Sequence, residues 1–145
     1  MKVLVQKVLN AAVTVAGQTV AAIDGGYLLF VGVEKGDTSA QADFLAKKVA
    51  NLRIFTDEND KMNLSLQSVK GAILAVSQFT LAADVSRGKR PGFETAARPE
   101  EAEPLYEYFV AQLKSHNIPV QTGIFQADMK VSLTNDGPCT FLLQK

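Results

Sequence analysis

Apolar and polar positions alternate from the start of the chain: Val3, Val5 and Lys7 fall on one side, Leu4, Gln6 and Val8 on the other. A period of two predicts a strand, and Val13-Thr14-Val15 predicts a further β stretch soon after. Ile23-Asp24-Gly25-Gly26 is a turn signal. The run that follows, Tyr27-Leu28-Leu29-Phe30-Val31-Gly32-Val33, is too continuously apolar for a strand with one wet face. It predicts a central strand covered on both sides. Helical spacing then takes over, with Thr38 and Gln41 forming a capping-box pattern ahead of Phe44, Leu45, Val49 and Leu52. Arg53-Ile54-Phe55 leads into a polar turn at Asp57-Glu58-Asn59-Asp60. A second buried strand is expected over Ala72–Phe79, followed by a loop rich in Gly, Arg and Pro from about Asp84 to Arg98.

A second helix runs to His116 from Pro99 or Pro104. Pro104 is the better first turn, because proline deeper in a helix loses a hydrogen bond. Glu100, Glu101 and Glu103 suit its N-terminal end, and Leu105, Phe109 and Leu113 form its apolar stripe, with Tyr106 and Val110 beside it. The tail alternates again, Met129, Val131 and Leu133 against Lys130, Ser132 and Thr134. Asn135-Asp136-Gly137-Pro138 interrupts it before Thr140-Phe141-Leu142-Leu143. With no linker or repeat, residues 1–145 read as one mixed α/β domain.

Composition adds constraints. Hydrophobic residues make up 47% of the chain, enough for a core without disulfides, and the single cysteine, Cys139, fits a reducing compartment. The first residues become polar too quickly for a signal peptide, and no apolar run approaches a membrane span. The expectation is a cytoplasmic protein. Fifteen basic residues balance fifteen acidic ones, whereas gripping a long stretch of nucleic acid needs a cationic surplus. An RNA substrate would therefore be held by only a small piece.

The usual catalytic sets are missing. His116 is the only histidine and sits where a helix should end, so its ordinary role is to complement the helix dipole. A triad hydrolase needs a base beside its nucleophile, and one His with one Cys cannot supply a zinc site. No Gly-rich phosphate loop is present; neither metal nor cofactor is expected. Two segments remain. Ser77-Gln78-Phe79-Thr80-Leu81 ends a buried strand with polar side chains, at a position where α/β sheets hold ligands or where a strand simply emerges into water. Asn135-Asp136-Gly137-Pro138-Cys139-Thr140 lies between two strand-like runs, and by itself reads as a plain turn.

Taken together, these segments resemble the D-aminoacyl-tRNA deacylase family, whose signatures are a Ser-Gln-Phe-Thr motif and a Gly-Pro motif near the C-terminus. The resemblance extends through Leu52-Arg53-Ile54-Phe55, Gly88-Lys89-Arg90-Pro91-Gly92-Phe93, Thr122-Gly123 and Phe125 to Met129. It implies a mixed, barrel-like β-sheet with two main helices, assembled as a homodimer. It also implies a cis Gly137-Pro138 bond that reaches into the partner's pocket, where its carbonyls exclude L-amino acids and admit D-amino acids and glycine. Ser77, Gln78, Phe79 and Thr80 would form the rest of the catalytic pocket, with amides near Phe79 and Thr80 receiving the carbonyl oxygen. Phe125 and Met129 would hold the terminal adenine of the tRNA 3′ end. Thr80 is either a nucleophile or a pocket wall, and the wall is favoured because no base is visible; hydrolysis would then be assisted by the substrate's own 2′-hydroxyl. Glycine mischarged onto tRNA-Ala would also be a substrate. Arg87, Lys89 and Arg90 are candidates for phosphate contacts or form a solvated basic loop.

Some positions depart from the family pattern. Lys7 stands where arginine usually braces the Gly-Pro turn, Cys139 replaces a valine, and Ile124 and Gln126 flank Phe125 in place of Arg and a small residue. Two other functions are compatible with the residues alone: a dimeric nucleic-acid-binding module without catalysis, and a small-ester hydrolase using Thr80 directly.

Overall fold

The computed structural model describes residues 1–145. Strand β1 (Lys2–Val15) is the spine of the sheet, one continuous strand where the sequence suggests two segments. Its first half pairs antiparallel with β3 (Gly26–Gly32) and its second half with β2 (Gln18–Ile23), while β8 (Met129–Gln144) runs antiparallel along its other edge. Beyond β3 lie β6 (Ala72–Ser77) and β7 (Val120–Thr122), both in parallel register. The Ala22 amide donates to Gln121 Oε1 at 3.0 Å. β2 therefore lies beside β7, and the mixed sheet curls into a nearly closed, barrel-like form. A separate hairpin joins β4 (Arg53–Thr56) to β5 (Met62–Ser65).

Alternation sorts the side chains into two apolar cores. Leu28, Leu74 and Val76 turn inward with Val8, Ala11 and Val13 to fill the barrel. Tyr27, Leu29, Val31, Ile73 and Ala75 face the other way, beneath helices α1 (Ser39–Ala50) and α2 (Pro99–Ser115). β3 is thus buried on both faces, which is why its sequence is apolar without alternation. The Thr38–Gln41 capping box forms as expected at the start of α1, satisfying amide donors that the first helical turn cannot pair.

Helix α2 corrects the expected boundary. It starts at Pro99, with Arg98 as N-cap, and Pro104 lies inside it. Proline fits at the first helical position, where its missing N–H is one that the helix leaves unpaired anyway. Pro104 does leave the Glu100 carbonyl without its intrahelical donor, a cost of about 3 kcal/mol. Burial of Ala102, Tyr106, Phe109, Val110 and Leu113 offsets it, since each larger apolar side chain contributes about 1.5–3 kcal/mol.

Candidate active site

The three parallel strands all end at the same side of the sheet, and a cleft of about 900 Å³ opens there. Val33 and Lys35 follow β3, Ser77, Gln78 and Phe79 follow β6, and Phe125 to Asp128 follow β7, leading to Met129 at the start of β8. Arg98, Pro99 and Ala102, at the start of α2, close the far wall. Ligand sites form at such strand ends because the loops diverge there and leave a crevice.

Of the residues singled out in the sequence, Ser77, Gln78, Phe79, Phe125 and Met129 line this one cleft. Phe125 and Met129 are half-buried: each packs on a different apolar core while also lining the cleft. The core and pocket-wall readings of these two side chains are therefore compatible. Phe79 is 55% exposed and lies 5.1 Å, centroid to centroid, from Phe93 across the mouth, so the two rings make a tilted aromatic pair.

β6 stops at Ser77, two residues before the expected end, because Phe79–Ala82 turn into a short 3-10 segment. This segment packs against β3 at Gly32. A Cβ there would come within 2.9 Å of the Leu81 Cβ and 3.1 Å of the Gln78 carbonyl oxygen, so only glycine lets the turn approach this closely. The Leu81 amide donates to the Gln78 carbonyl at 3.2 Å and the Gln78 amide to the Val31 carbonyl at 2.7 Å, whereas the amides of Phe79 and Thr80, first in the segment, have no acceptor within their own helical turn. Thr80 does not line the cleft; its hydroxyl oxygen accepts a hydrogen bond from the Gln78 side-chain amide. An amide is no base, so this partner orients the hydroxyl without activating it.

Gly137 and Pro138 lie elsewhere. Lys7 alone separates Gln6 from Val8 on β1, whereas Asp136, Gly137, Pro138 and Cys139 separate their partners Thr140 and Asn135 on β8. The surplus residues form a loop in which Gly137 and Pro138 are exposed and joined by a cis peptide bond. Asn135 braces the loop from beneath, accepting from the Cys139 amide at 2.7 Å and donating to the Cys139 carbonyl at 3.1 Å. The same side chain meets Gln6, which also accepts from Thr140 Oγ1 at 2.7 Å. Lys7 Nζ reaches Asp136 at 2.9 Å, so lysine keeps an ionic tie to the loop at the position where the family usually has arginine. Gly137 has φ of 131°, and a Cβ there would meet Cys139 at 3.2 Å, a conformation few residues other than glycine adopt. Burial pushes the Cys139 thiol above its ordinary pKa, against the opposing pull of Lys7, so it is a packing group and not a thiolate.

The loop cannot serve its own cleft. Lys7 faces Tyr27, Val31 faces Ser77 and β8 lies beyond β1, so three strand spacings and four residues separate the loop from Ser77. That is roughly 20 Å over the sheet surface. Arg87, Lys89 and Arg90 do not line the cleft either, while Lys35 and Arg98, which motif reading passed over, do. The signal for Lys35 was present in the sequence, since the strand-end rule applied to Ser77 applies equally to the end of β3. His116 is the C-cap residue of α2, as its position in the sequence suggests.

The sequence profile of the D-Tyr-tRNA(Tyr) deacylase family matches residues 4–144. The D-aminoacyl-tRNA deacylase of Geotalea uraniireducens is 61% identical, over 99% of this chain and 93% of its own length. That of Alcanivorax borkumensis is 54% identical, over 99% of both chains. Among solved structures, the c-Myc DNA unwinding element binding protein superposes with a TM-score of 0.94 at 38% identity, covering 100% of this chain and 99% of its own. A probable eukaryotic D-amino acid tRNA deacylase shares the fold, with a TM-score of 0.77 at 17% identity over 98% and 97% of the two chains. A profile match over nearly every residue, with relatives more than half identical from end to end, establishes that the chain belongs to the D-aminoacyl-tRNA deacylase family of hydrolases.

Proposed function

We propose that the cleft takes the 3′ end of an aminoacyl-tRNA, with the terminal adenine against Phe125 and Met129 and the ester beside Ser77, Gln78, Phe79 and Thr80. The observation that carries this reading is the meeting of Ser77, Gln78 and Phe79 with Phe125 and Met129 in one cleft that offers apolar walls and no histidine, its one carboxylate, Asp128, being paired with Lys130. The amides of Phe79 and Thr80 receive the carbonyl oxygen as it becomes an oxyanion. Water attacks the carbonyl carbon, the bond to the ribose 3′-oxygen breaks, and the proton lost by the water ends on that oxygen, relayed by the neighbouring 2′-hydroxyl. Thr80 is a hydrogen-bond partner of the Gln78 side chain here, not a nucleophile.

Chiral selection comes from a second copy of the chain. The Gly137-Pro138 loop is exposed and roughly 20 Å from its own Ser77 by the sheet spacing above, so it reaches an ester only in a partner's cleft. Exposed Leu9 and Leu142 lie on the two strands that carry the loop and suit a homodimer contact. Backbone carbonyls held there would clash with an L side chain and leave a D side chain or glycine unhindered, so glycyl-tRNA, including glycine mischarged onto tRNA-Ala, is also a substrate. Rejection by clash is stronger than loss of a methylene contact, worth only about 1–3 kcal/mol. The enzyme works in the cytoplasm, where aminoacyl-tRNA is made.

Deacylation of D-Tyr-tRNA and L-Tyr-tRNA side by side tests the reading. Loss of the D-ester alone is expected; equal loss of both removes the gate, and loss of neither removes the function. The likeness to a DNA unwinding element binding protein favours a second reading, a nucleic-acid-binding module. Strong, salt-steep binding to generic DNA would support it, but the zero net charge of this chain weighs against it.

A further inference from the structure

Two cations stand unpaired on one rim of the cleft. Lys35 and Arg98 both line it, and neither side chain forms an ion pair or hydrogen bond within the chain. Lys35 has acidic neighbours in Glu34 and Asp37, yet both are occupied. Glu34 pairs with Lys2 at 3.0 Å, and Asp37 receives the N-terminal ammonium at 2.6 Å and the Glu34 amide at 2.7 Å. The one cleft carboxylate, Asp128, is paired with Lys130 at 2.9 Å. A chain with equal acidic and basic counts thus leaves a local positive charge at its cleft.

The two cations are fixed relative to each other. A short antiparallel ladder joins the segment after β3 to the segment before α2: the Lys35 amide donates to Thr95 O at 2.9 Å and the Ala97 amide to Val33 O at 3.1 Å. Glu34 faces Ala96 between them. Lys35 and Arg98 therefore stand at opposite ends of this ladder, about 10 Å apart along the backbone, a gap that their long side chains can narrow from both sides. The same cleft carries Phe125 and Met129, where the proposed function seats the terminal adenine.

We infer that Lys35 and Arg98 bind the phosphodiesters just upstream of that adenosine, so that the single-stranded RNA end leaves the cleft across this rim. The inference rests on the proposed placement of the adenosine but concerns a different ligand group. It takes the phosphate role away from Arg87, Lys89 and Arg90, which do not line the cleft.

The test is binding of a fluorescent ACCA oligoribonucleotide, uncharged by any amino acid, across a salt series. The proteins compared are the native chain and the Lys35→Gln/Arg98→Gln double variant, with adenosine as the phosphate-free comparison ligand. For single strands each phosphate contact adds about 0.7 to the slope of log affinity against log salt, hence about 5-fold in affinity at 0.1 M salt relative to 1 M. Removing both contacts should weaken the oligonucleotide about 25-fold at 0.1 M, lower the slope by about 1.4, and lose most of its effect at 1 M salt. The deficit for adenosine should be far smaller. Conservative Lys35→Arg in the single background should recover the slope. Equal deficits for oligonucleotide and adenosine, or an unchanged slope, would overturn the inference. Turnover of D-Tyr-tRNA by the native protein, measured separately, decides the proposed function, because the binding arms need no hydrolysis.

Discussion

Gly32→Ala moves the Gln78–Leu81 turn without replacing any residue of the cleft. The new methyl would lie 2.9 Å from Leu81 Cβ and 3.1 Å from the Gln78 carbonyl oxygen, both on or next to main chain. Carbon atoms pack at about 3.5–4.0 Å, so the Gln78–Leu81 turn must retreat by about 0.6–1 Å. Overpacking of this kind costs about 1–3 kcal/mol. Gly32 is outside the left-handed region, so alanine adds no backbone strain and recovers about 0.4–1 kcal/mol from the unfolded chain. The net loss of about 0–2.6 kcal/mol, divided by an unfolding entropy of about 0.3 kcal/mol/K for a chain of this length, lowers Tm by at most roughly 9 °C. The rate should suffer more than the stability, because a misplacement near 1 Å costs about 100-fold. If the Phe79 and Thr80 amides hold the oxyanion, kcat falls while KM for D-Tyr-tRNA stays within a few fold. The assay is single-turnover deacylation beside a thermal melt followed by circular dichroism. A variant that melts lower yet keeps kcat within two-fold would refute the claim that the turn's position sets the rate.

Asn135→Ala removes the brace under the Gly137-Pro138 loop; it should cost about 1–3 kcal/mol and erode discrimination between D-Tyr-tRNA and L-Tyr-tRNA more than the D rate, read by paired deacylation. Pro104→Ala restores a donor to the Glu100 carbonyl in α2 and should raise stability by up to about 3 kcal/mol, seen as a higher denaturant midpoint at unchanged activity. Cys139, pushed up by burial, should show an iodoacetamide rate-versus-pH midpoint above that of a free thiol. Its protonated form is favoured by folding, so its contribution to stability is complete below the free-thiol pKa and is lost as pH rises through the folded one.

Long, strongly patterned elements were legible in the sequence, and the short ones were not. β3 declared itself through an unbroken apolar run and α1 through Thr38 and Gln41, because in both cases the physical requirement is local. β5 and β7 are only 4 and 3 residues long, too short to show a period, and they exist because the β4 hairpin and the edge of β6 supply partners. Helix α2 misled at Pro104, where tertiary burial of its inner face outweighs a local penalty. The site divides the same way. Ser77 to Phe79 and Lys35 could be found from strand ends, but the pairing of Lys35 with Arg98 on one cleft depends on a ladder between segments 62 residues apart, from Glu34 to Ala96, which no local pattern announces.

On the proposed mechanism the lack of a base ceases to be a puzzle and becomes a statement about where rate and selectivity come from. The reacting ester and the assisting 2′-hydroxyl both belong to the substrate, so the chain need only supply amides, walls and the exclusion of one enantiomer. Those are properties of main chain, and main chain is positioned by residues with little chemistry of their own. Gly32 sets how closely the Gln78–Leu81 turn approaches the sheet, and Asn135 ties the Cys139 amide and carbonyl at the base of the loop proposed to act on another subunit. The hydroxyl of Thr80, the most reactive-looking group in the motif, is held by an amide that cannot accept its proton. Substituting the groups that look catalytic should therefore cost less than disturbing the glycine and asparagine that hold the backbone still.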